Sequence, residues 1–337
     1  MSLPAHLEGK RFAVTGGAGF IGSHVVDQLA KIGAQVVVID DLSVGREENL
    51  AEARSSGRVT LVRASVCDFE AVRPALAGVE YVLHLAVQCL RVSLANPTLV
   101  HEVNASGTLQ VLRAAREAGV KRFGYVSSSE VYGTAIDESA PMAETDPLLP
   151  TTPYGASKAA GELYTDSFFR CYEFPTTVIR PFNTYGPRSH ANGAYGEAIP
   201  RFVARVLAGK PPVIFGDGGQ TRDFTYVEDT ARGIVLAGTA KQTVGQTVNI
   251  ARGKEISITD VAAAVCRGCG RPDLEPVYTP ARPADVRRHM AATEKASRLL
   301  DYRARIDLEE GVRRYVEWVR PRGPEVSAEE AASRNWE

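Results

Sequence analysis

The chain of 337 residues has almost no net charge, because 39 Lys and Arg nearly balance 40 Asp and Glu to leave a formal −1. Without a field of one sign it does not recruit nucleic acid or an anionic membrane through bulk electrostatics. Any anionic ligand must then be held by local arginines and backbone amides. Long apolar runs are missing too, none approaching the roughly 18 to 20 residues of a membrane span. The opening stretch from Met1 to Lys10 lacks the apolar core of a secretory signal, so the expected location is the cytoplasm. Cysteine is sparse, with five residues scattered along the chain. Cys266 and Cys269 form a CxxC with no second cysteine pair and no histidine pair nearby, short of the four ligands a structural zinc site needs. No metal site is expected, and the thiols read as idle in a reducing compartment. Internal repeats and low-complexity tracts are absent as well.

What remains is an ordinary globular composition, 44% apolar and 23% charged. The length suffices for one large core plus a smaller lobe. Short β-branched runs at Arg11–Thr15, Gln35–Ile39, Val59–Val62, Glu80–Leu85 and Arg122–Val126 alternate with amphipathic stretches. Helices are expected over Gly22–Lys31 and about Leu99–Ala118, and later strands at Thr176–Arg180 and near Thr247–Ile250. Strands separated by helices imply an α/β fold of the Rossmann type, a doubly wound parallel sheet covered on both faces. The expected division is a nucleotide-binding domain over 1–180, with a strand returning near 245–252, and a smaller α/β substrate lobe mainly over 181–330. The spacing of Val203, Val206 and Leu207 is that of a core helix, and the polar tail after Pro321 is expected to pack loosely.

A strand ending at Thr15, the run Gly16-Gly-Ala-Gly-Phe-Ile-Gly22 and then a helix form the context of a dinucleotide site. Gly16 suits the tight turn, Gly19 lets backbone approach a pyrophosphate, and Gly22 lets helix pack on sheet. Phe20 and Ile21 open the helix, whose first amides favour an anion. Asp40 ends the second strand, where a carboxylate accepts from a ribose 2′-hydroxyl and repels a 2′-phosphate, so NAD is expected rather than NADP. Asp41 competes for that role. Further on, Tyr154 and Lys158 stand four apart, on one face of a helix. The ammonium, together with a nicotinamide's positive charge, is expected to lower the phenol from its usual value near 10. A phenolate beside a nicotinamide is equipped to oxidise an alcohol.

With these residues in hand, the chain resembles the extended short-chain dehydrogenases/reductases, in the branch of NAD-dependent nucleotide-sugar epimerases and dehydratases. The likeness runs through the glycine turn, His84-Leu-Ala86, Asn104, Ser127-Ser-Ser-Glu-Val-Tyr-Gly133 and Tyr154-x-x-x-Lys158. It continues through Arg180-Pro-Phe-Asn-Thr-Tyr-Gly-Pro-Arg188, Arg222-Asp-Phe-Thr-Tyr-Val227 and Arg282-Pro-Ala-Asp285, where relatives often carry glycine for Ala284. The resemblance implies that Asp68 contacts the adenine, that Leu85 and Ala86 lie against the cofactor, and that Asn104 organises the site. It places Ser128 on the reacting hydroxyl with Tyr154 and Lys158. Gln88 and Arg91 fall in the substrate loop. Asn183, Arg188, Arg222 and Arg282 fall where the family holds the sugar or its diphosphate, a task suited to arginine forks. Relatives commonly form homodimers, and the helices near Tyr154 and over Leu99–Ala118 are the natural interface. The segment Asn192–Tyr195 is similar to that of enzymes acting on UDP-linked sugars, which favours UDP over GDP and dTDP.

Glu130 bears most on the reaction. Family 4-epimerases usually carry a small or neutral residue there, whereas 4,6-dehydratases carry glutamate. Oxidation at C4 acidifies the C5 proton, a carboxylate removes it, and water leaves from C6. The trio Ser128-Ser129-Glu130 is similar to that of GDP-mannose dehydratases. It departs from the Asp-Glu pair of dTDP-glucose dehydratases, because Ser129 takes the aspartate position. Either Glu130 serves as both base and acid, or another donor exists. The leading expectation is therefore 4,6-dehydration, with UDP-sugar 4-epimerisation (glucose, N-acetylglucosamine or glucuronate) as the alternative. Decarboxylation of UDP-glucuronate would need a cation near C6, for which Arg91, Arg188 and His190 are candidates. A binding protein that has lost turnover is a further alternative, against which the intact Ser128/Tyr154/Lys158 set argues.

Overall fold

A computed structural model of the chain describes residues 3–137, 139–281 and 286–334. Seven parallel strands make the main sheet: β1 (Arg11–Thr15), β2 (Gln35–Asp40), β3 (Val59–Arg63), β4 (Tyr81–His84), β5 (Arg122–Val126), β6 (Thr176–Pro181) and a returning strand, Gln246–Ile250. Their order is returning strand, β6, β5, β4, β1, β2, β3. The order reverses beside β1, so the carboxyl ends of β1 and β4 open a crevice of the kind in which α/β sheets bind ligands. Thr15 lies level with Ile39 on one side and His84 on the other, which fixes that rim.

Both faces of the sheet are covered, which is why the inner strands β1, β4 and β5 are buried at nearly every position rather than at alternate ones. On one face, α1 (Phe20–Lys31) packs Val25, Val26 and Leu29 with Ile234 and Val235 of a later helix, Val227–Thr239. The other face carries a short helix at Phe69–Ala75, a helix at Gly107–Glu117 and the long helix Pro153–Tyr172, which pack Val72, Leu76, Val111, Leu112 and Phe168. The single helix expected over Leu99–Ala118 is instead three pieces: Pro97–His101, a wide π-turn at Glu102–Ser106 and then Gly107–Glu117. The wide turn contains Asn104, which is fully buried.

The lobe beyond β6 has its own core. Helices Ala198–Leu207, Ile258–Gly268 and Leu308–Val319 gather Phe202, Val203, Val206, Val261, Val265, Val312 and Val316. Cys266 and Cys269 are buried in this core as free thiols. A three-stranded sheet sets Arg222 level with His289 on one side and with Ile256 on the other. The tail does not pack loosely. Val326, Ala328 and Ala331 are buried, and the Arg201 guanidinium donates to the carbonyls of Glu330, Ala331 and Ser333. A cation that needs several acceptors and small side chains that fit beneath it dock a segment whose composition looks merely polar. Among the described residues no helix is long and apolar enough to cross a membrane.

One buried ion pair ties the long helix to the sheet. The Arg180 fork donates from Nε and Nη2 to the two oxygens of Glu162 at 2.9 and 2.6 Å, under the Tyr132 ring. Both side chains are nearly enclosed, so removing the carboxylate charge would strand a guanidinium in a dry site. Glu162→Gln should cost about 3–5 kcal/mol in urea unfolding. Glu70→Gln, which breaks an exposed pair with Arg73, should leave the unfolding midpoint unchanged.

Candidate active site

The glycine turn is built by close approach. Gly16 has φ +65°, and a Cβ there would sit 2.7–2.9 Å from the backbone of Leu85 and Ala86. A Cβ on Gly22 would lie 2.1 Å from the Gly16 carbonyl oxygen, whereas one on Gly19 would meet only that oxygen, at 3.2 Å. Gly16 therefore seats the turn against the end of β4, Gly22 seats the helix on the turn, and Gly19 leaves an open backbone face. The helix starts at Phe20, so the amides of Phe20, Ile21 and Gly22 are the ones left without intrahelical acceptors. They suit a pyrophosphate.

Behind the turn, a network of hydroxyls and one imidazole fixes the end of β4. The Thr108 hydroxyl donates to the Asn104 carbonyl at 2.6 Å, so it accepts from His84 Nε2 at 3.0 Å. His84 is fully buried, and burial lowers it to about 3, so it is neutral, with its proton on Nε2. Its Nδ1 then accepts from the Thr15 hydroxyl at 2.6 Å, and that hydroxyl accepts from the Leu85 and Ala86 amides. The buried Asp40 carboxylate accepts from the Ala18 and Leu42 amides, both at 2.9 Å, while burial raises it. Its remaining lone pairs suit ribose hydroxyls. Asp41 is exposed and bends its Oδ1 back to the amide and hydroxyl of Ser43. The glycine cradle, the orphan amides and the acid at the end of β2 fit a dinucleotide.

The reacting end of the cleft lies where β5 meets the long helix. Ser128 follows the strand, and its Oγ accepts from the Glu130 amide at 3.2 Å. Thr152 caps the helix through the Gly155 amide, and a Cβ on Gly155 would lie 2.6 Å from the Glu130 carbonyl oxygen. The helix start is thereby pressed under Glu130, and Tyr154 hydrogen-bonds Ser128. Lys158, one turn on and buried, sends its Nζ to the Val126 carbonyl at 2.6 Å. Burial lowers it to about 7. The expected lowering of Tyr154 does not hold in the chain alone. Burial pushes the phenol up, and the Glu130 and Glu197 carboxylates push it further against the Ser128 hydrogen bond. The physical reason is desolvation, which here outweighs any help from a lysine whose own charge is discouraged and whose Nζ is turned to a carbonyl.

A cavity of about 440 Å³ joins these parts. Its wall includes Gly16, Gly19, Phe20, Ile21, Gly22, Asp40, Asp41, Leu85 and Ala86 at the cofactor end. Gln88, Arg91, Ser128, Ser129, Glu130, Tyr154, Lys158, Asn183 and Arg222 follow toward the lobe. Three expected residues are elsewhere. Asp68 is an exposed N-cap that accepts from the Ala71 amide, and Ala64 and Val66 take the wall instead. Arg188 is spent on Asp27 at 2.7 Å, because a carboxylate buried in α1 requires a cation. Asn104 is behind the wall: it accepts from the Gln88 amide and donates to the Gln88 carbonyl and to Ser157, so it positions rather than touches a ligand. Arg282 lies outside the described residues.

On the lobe side, Arg91 donates to the Ala194 and Tyr195 carbonyls, and the Tyr195 hydroxyl donates to Gln88 Oε1 at 2.8 Å. Asn183 Oδ1 and Ser127 Oγ are buried on the wall without a protein partner among the described residues, as groups meant for a ligand would be. Two residues escaped the sequence reading. His289 is fully buried with Nδ1 3.9 Å from Glu130 Oε1, and Glu197 lines the cavity at the entry to helix Ala198–Leu207. Only the strand register beside Arg222 brings His289 here, and no motif marks Glu197.

The model of the NAD dependent epimerase/dehydratase family matches residues 12–251. The chain is 37% identical to a UDP-glucose 4-epimerase of Mycolicibacterium smegmatis, over 92% of this chain and 98% of the other. It is similar to the UDP-N-acetylglucosamine 4-epimerase of Methanobrevibacter ruminantium, with a TM-score of 0.87 and 32% identity over 94% and 99% of the two chains. It is also similar to the NAD-bound dTDP-glucose 4,6-dehydratase of Streptomyces venezuelae, with a TM-score of 0.86 and 31% identity over 93% and 97%. Gly22→Ala, which puts a methyl group against the Gly16 carbonyl, should raise the dissociation constant for NAD by tenfold or more, about 1.4 kcal/mol, in calorimetric titration.

Proposed function

We propose, for a chain that belongs to the NAD-dependent epimerase/dehydratase family and is thereby an NAD-dependent enzyme of nucleotide-linked sugars, that its reaction is 4,6-dehydration. The observation that carries this reading is Glu130, a carboxylate on the cleft wall close enough to raise the Tyr154 phenol. Bound NAD supplies a hydride acceptor, its reduced form a donor, and a positively charged ring that favours the phenolate. Tyr154 takes the proton of the C4 hydroxyl, and Ser128 holds that oxygen through the hydrogen bond it shares with Tyr154. Once C4 is a ketone, its neighbour C5–H is acidic, and Glu130 removes that proton. A simple 4-epimerase has no use for such a base. Asn183, Arg222 and Gln88 hold the sugar nucleotide, and Arg91 holds the loop above it. A UDP-linked substrate is supported by the Asn192–Tyr195 segment and by the UDP-sugar relatives.

The second reading is UDP-sugar 4-epimerisation. It is favoured by the name of the 37% identical relative, and it needs only the Ser128/Tyr154/Lys158 set. Incubation with UDP- and dTDP-linked hexoses separates the two. A 4-keto-6-deoxy product carrying solvent deuterium at C5 supports dehydration, and a pair of C4 epimers without exchange overturns it. Release of CO₂ from UDP-glucuronate would assign decarboxylation instead. Glu130→Gln should abolish dehydration yet still build up bound NADH, whereas Tyr154→Phe should slow both by about 10²–10⁴-fold.

A homodimer is proposed through the long helix. Leu163 and Tyr164 on the long helix are 65% and 39% exposed, apolar side chains that a partner's helix would cover. Leu163→Glu should convert the species seen by sedimentation to half its mass. A wild-type protein that sediments as a monomer overturns this.

A further inference from the structure

The proposed elimination has a base but no obvious acid. When Glu130 takes the C5 proton it cannot in the same instant give one to the departing C6 oxygen. Hydroxide is a poor leaving group, and Ser129, beside Glu130, carries only an alcohol. A proton donor must face the same cavity from another side.

Glu197 meets that requirement by position. It stands at the entry to helix Ala198–Leu207, where its amide donates to the His190 carbonyl and its carbonyl accepts from the Arg201 amide. A glutamate at a helix entry often has no capping role, and this one makes no capping hydrogen bond. No group among the described residues donates a hydrogen bond to its carboxylate, which lines the same cavity as Ser128, Glu130 and Tyr154. The loop before it is held rigidly: Arg91 binds the carbonyls of Ala194 and Tyr195, and the Tyr195 hydroxyl reaches Gln88, itself locked by Asn104. An acid that accepts no hydrogen bond among the described residues, held on a braced loop at the wall of that cavity, is placed for a ligand.

We propose that Glu197 is the general acid of the elimination, giving its carboxyl proton to the C6 hydroxyl as Glu130 takes the proton from C5. This rests on the dehydratase reading above. The C5–H bond breaks toward Glu130, its electron pair forms the C5=C6 double bond, the C6–O bond breaks, and the oxygen leaves as water with the proton from Glu197. The protonation state fits. Burial pushes Glu197 up to about 7, while the Arg91 guanidinium pulls it down. The other groups that face it are the Tyr154 phenol on the long helix and the Tyr315 phenol on Leu308–Val319, both neutral because burial raises them. On its own helix, the Arg201 guanidinium is spent on tail carbonyls.

The test uses the full-length protein with NAD, UDP-glucose, UDP-N-acetylglucosamine and dTDP-glucose, and the 6-deoxy-6-fluoro analogue of whichever is dehydrated. Wild type that yields only C4 epimers overturns the dehydratase reading and this inference with it. If wild type dehydrates, Glu197→Gln should still accumulate bound NADH but lose about 10²-fold or more in kcat on the 6-hydroxy sugar. On the 6-fluoro sugar, whose fluoride departs without a full proton, the variant should regain turnover close to wild type. Wild-type kcat on the 6-hydroxy sugar should fall as pH rises through about 7, where the acid is lost. Undiminished kcat of Glu197→Gln on the 6-hydroxy sugar refutes the assignment and leaves dehydration standing. Equal losses on both sugars, or a change confined to KM, refute it too and make Glu197 a binding residue.

Discussion

One carboxamide holds the working parts of this protein in register. Asn104 is wholly enclosed, and it accepts from the Gln88 amide while donating to the Gln88 carbonyl and to Ser157. Through Ser157 it grips the helix that carries Tyr154 and Lys158. Its own carbonyl accepts from Thr108, which passes the chain of hydrogen bonds to His84, to Thr15 and so to the Leu85–Ala86 backbone against the glycine turn. Through Gln88 it reaches Tyr195 and the loop that leads to Glu197. A buried amide satisfied on every side is costly to disturb and admits one arrangement. The wide turn at Glu102–Ser106 sets this side chain into the gap between the segments.

Around that frame, burial sets the charge states. Desolvation disfavours whichever form of a group is ionised, so it raises the Tyr154 phenol and the Glu197 carboxyl and lowers Lys158 and His84. None of these four groups holds a firm charge at neutral pH. Lys158 and Glu197, each brought to about 7, are the ones that can both take and give a proton near neutral pH.

The lobe shows how tertiary demands reassign residues that a motif would place at the ligand. Arg188 follows a family-like run, yet an aspartate buried in α1 has the stronger need of it. Asp68 sits near the nucleotide end of the sheet, yet the start of a short helix uses it as a cap. Arg222 and Asn183 stay on the wall, one brought there by strand pairing and the other left with a buried oxygen that no described protein group satisfies.

The sequence alone determined the layered α/β fold, because β-branched runs alternating with amphipathic ones admit little else. It also determined the cofactor turn, since a strand, the run Gly16-Gly-Ala-Gly-Phe-Ile-Gly22 and a helix follow one another locally. The pair Tyr154 and Lys158 and the placing of Glu130 after β5 were legible for the same reason: local spacing on one helix or one turn fixes them. What the tertiary structure decided was everything that depends on distant segments meeting. That includes the π-turn around Asn104, the docked tail under Arg201, the diversion of Arg188 to Asp27, the arrival of His289 beside Glu130 and that of Glu197 on the cavity wall it shares with Tyr154. Titration belongs to the same class, because desolvation is a property of the packed surroundings. A spacing of four residues can align a lysine with a tyrosine, but it cannot say how much water is left between them.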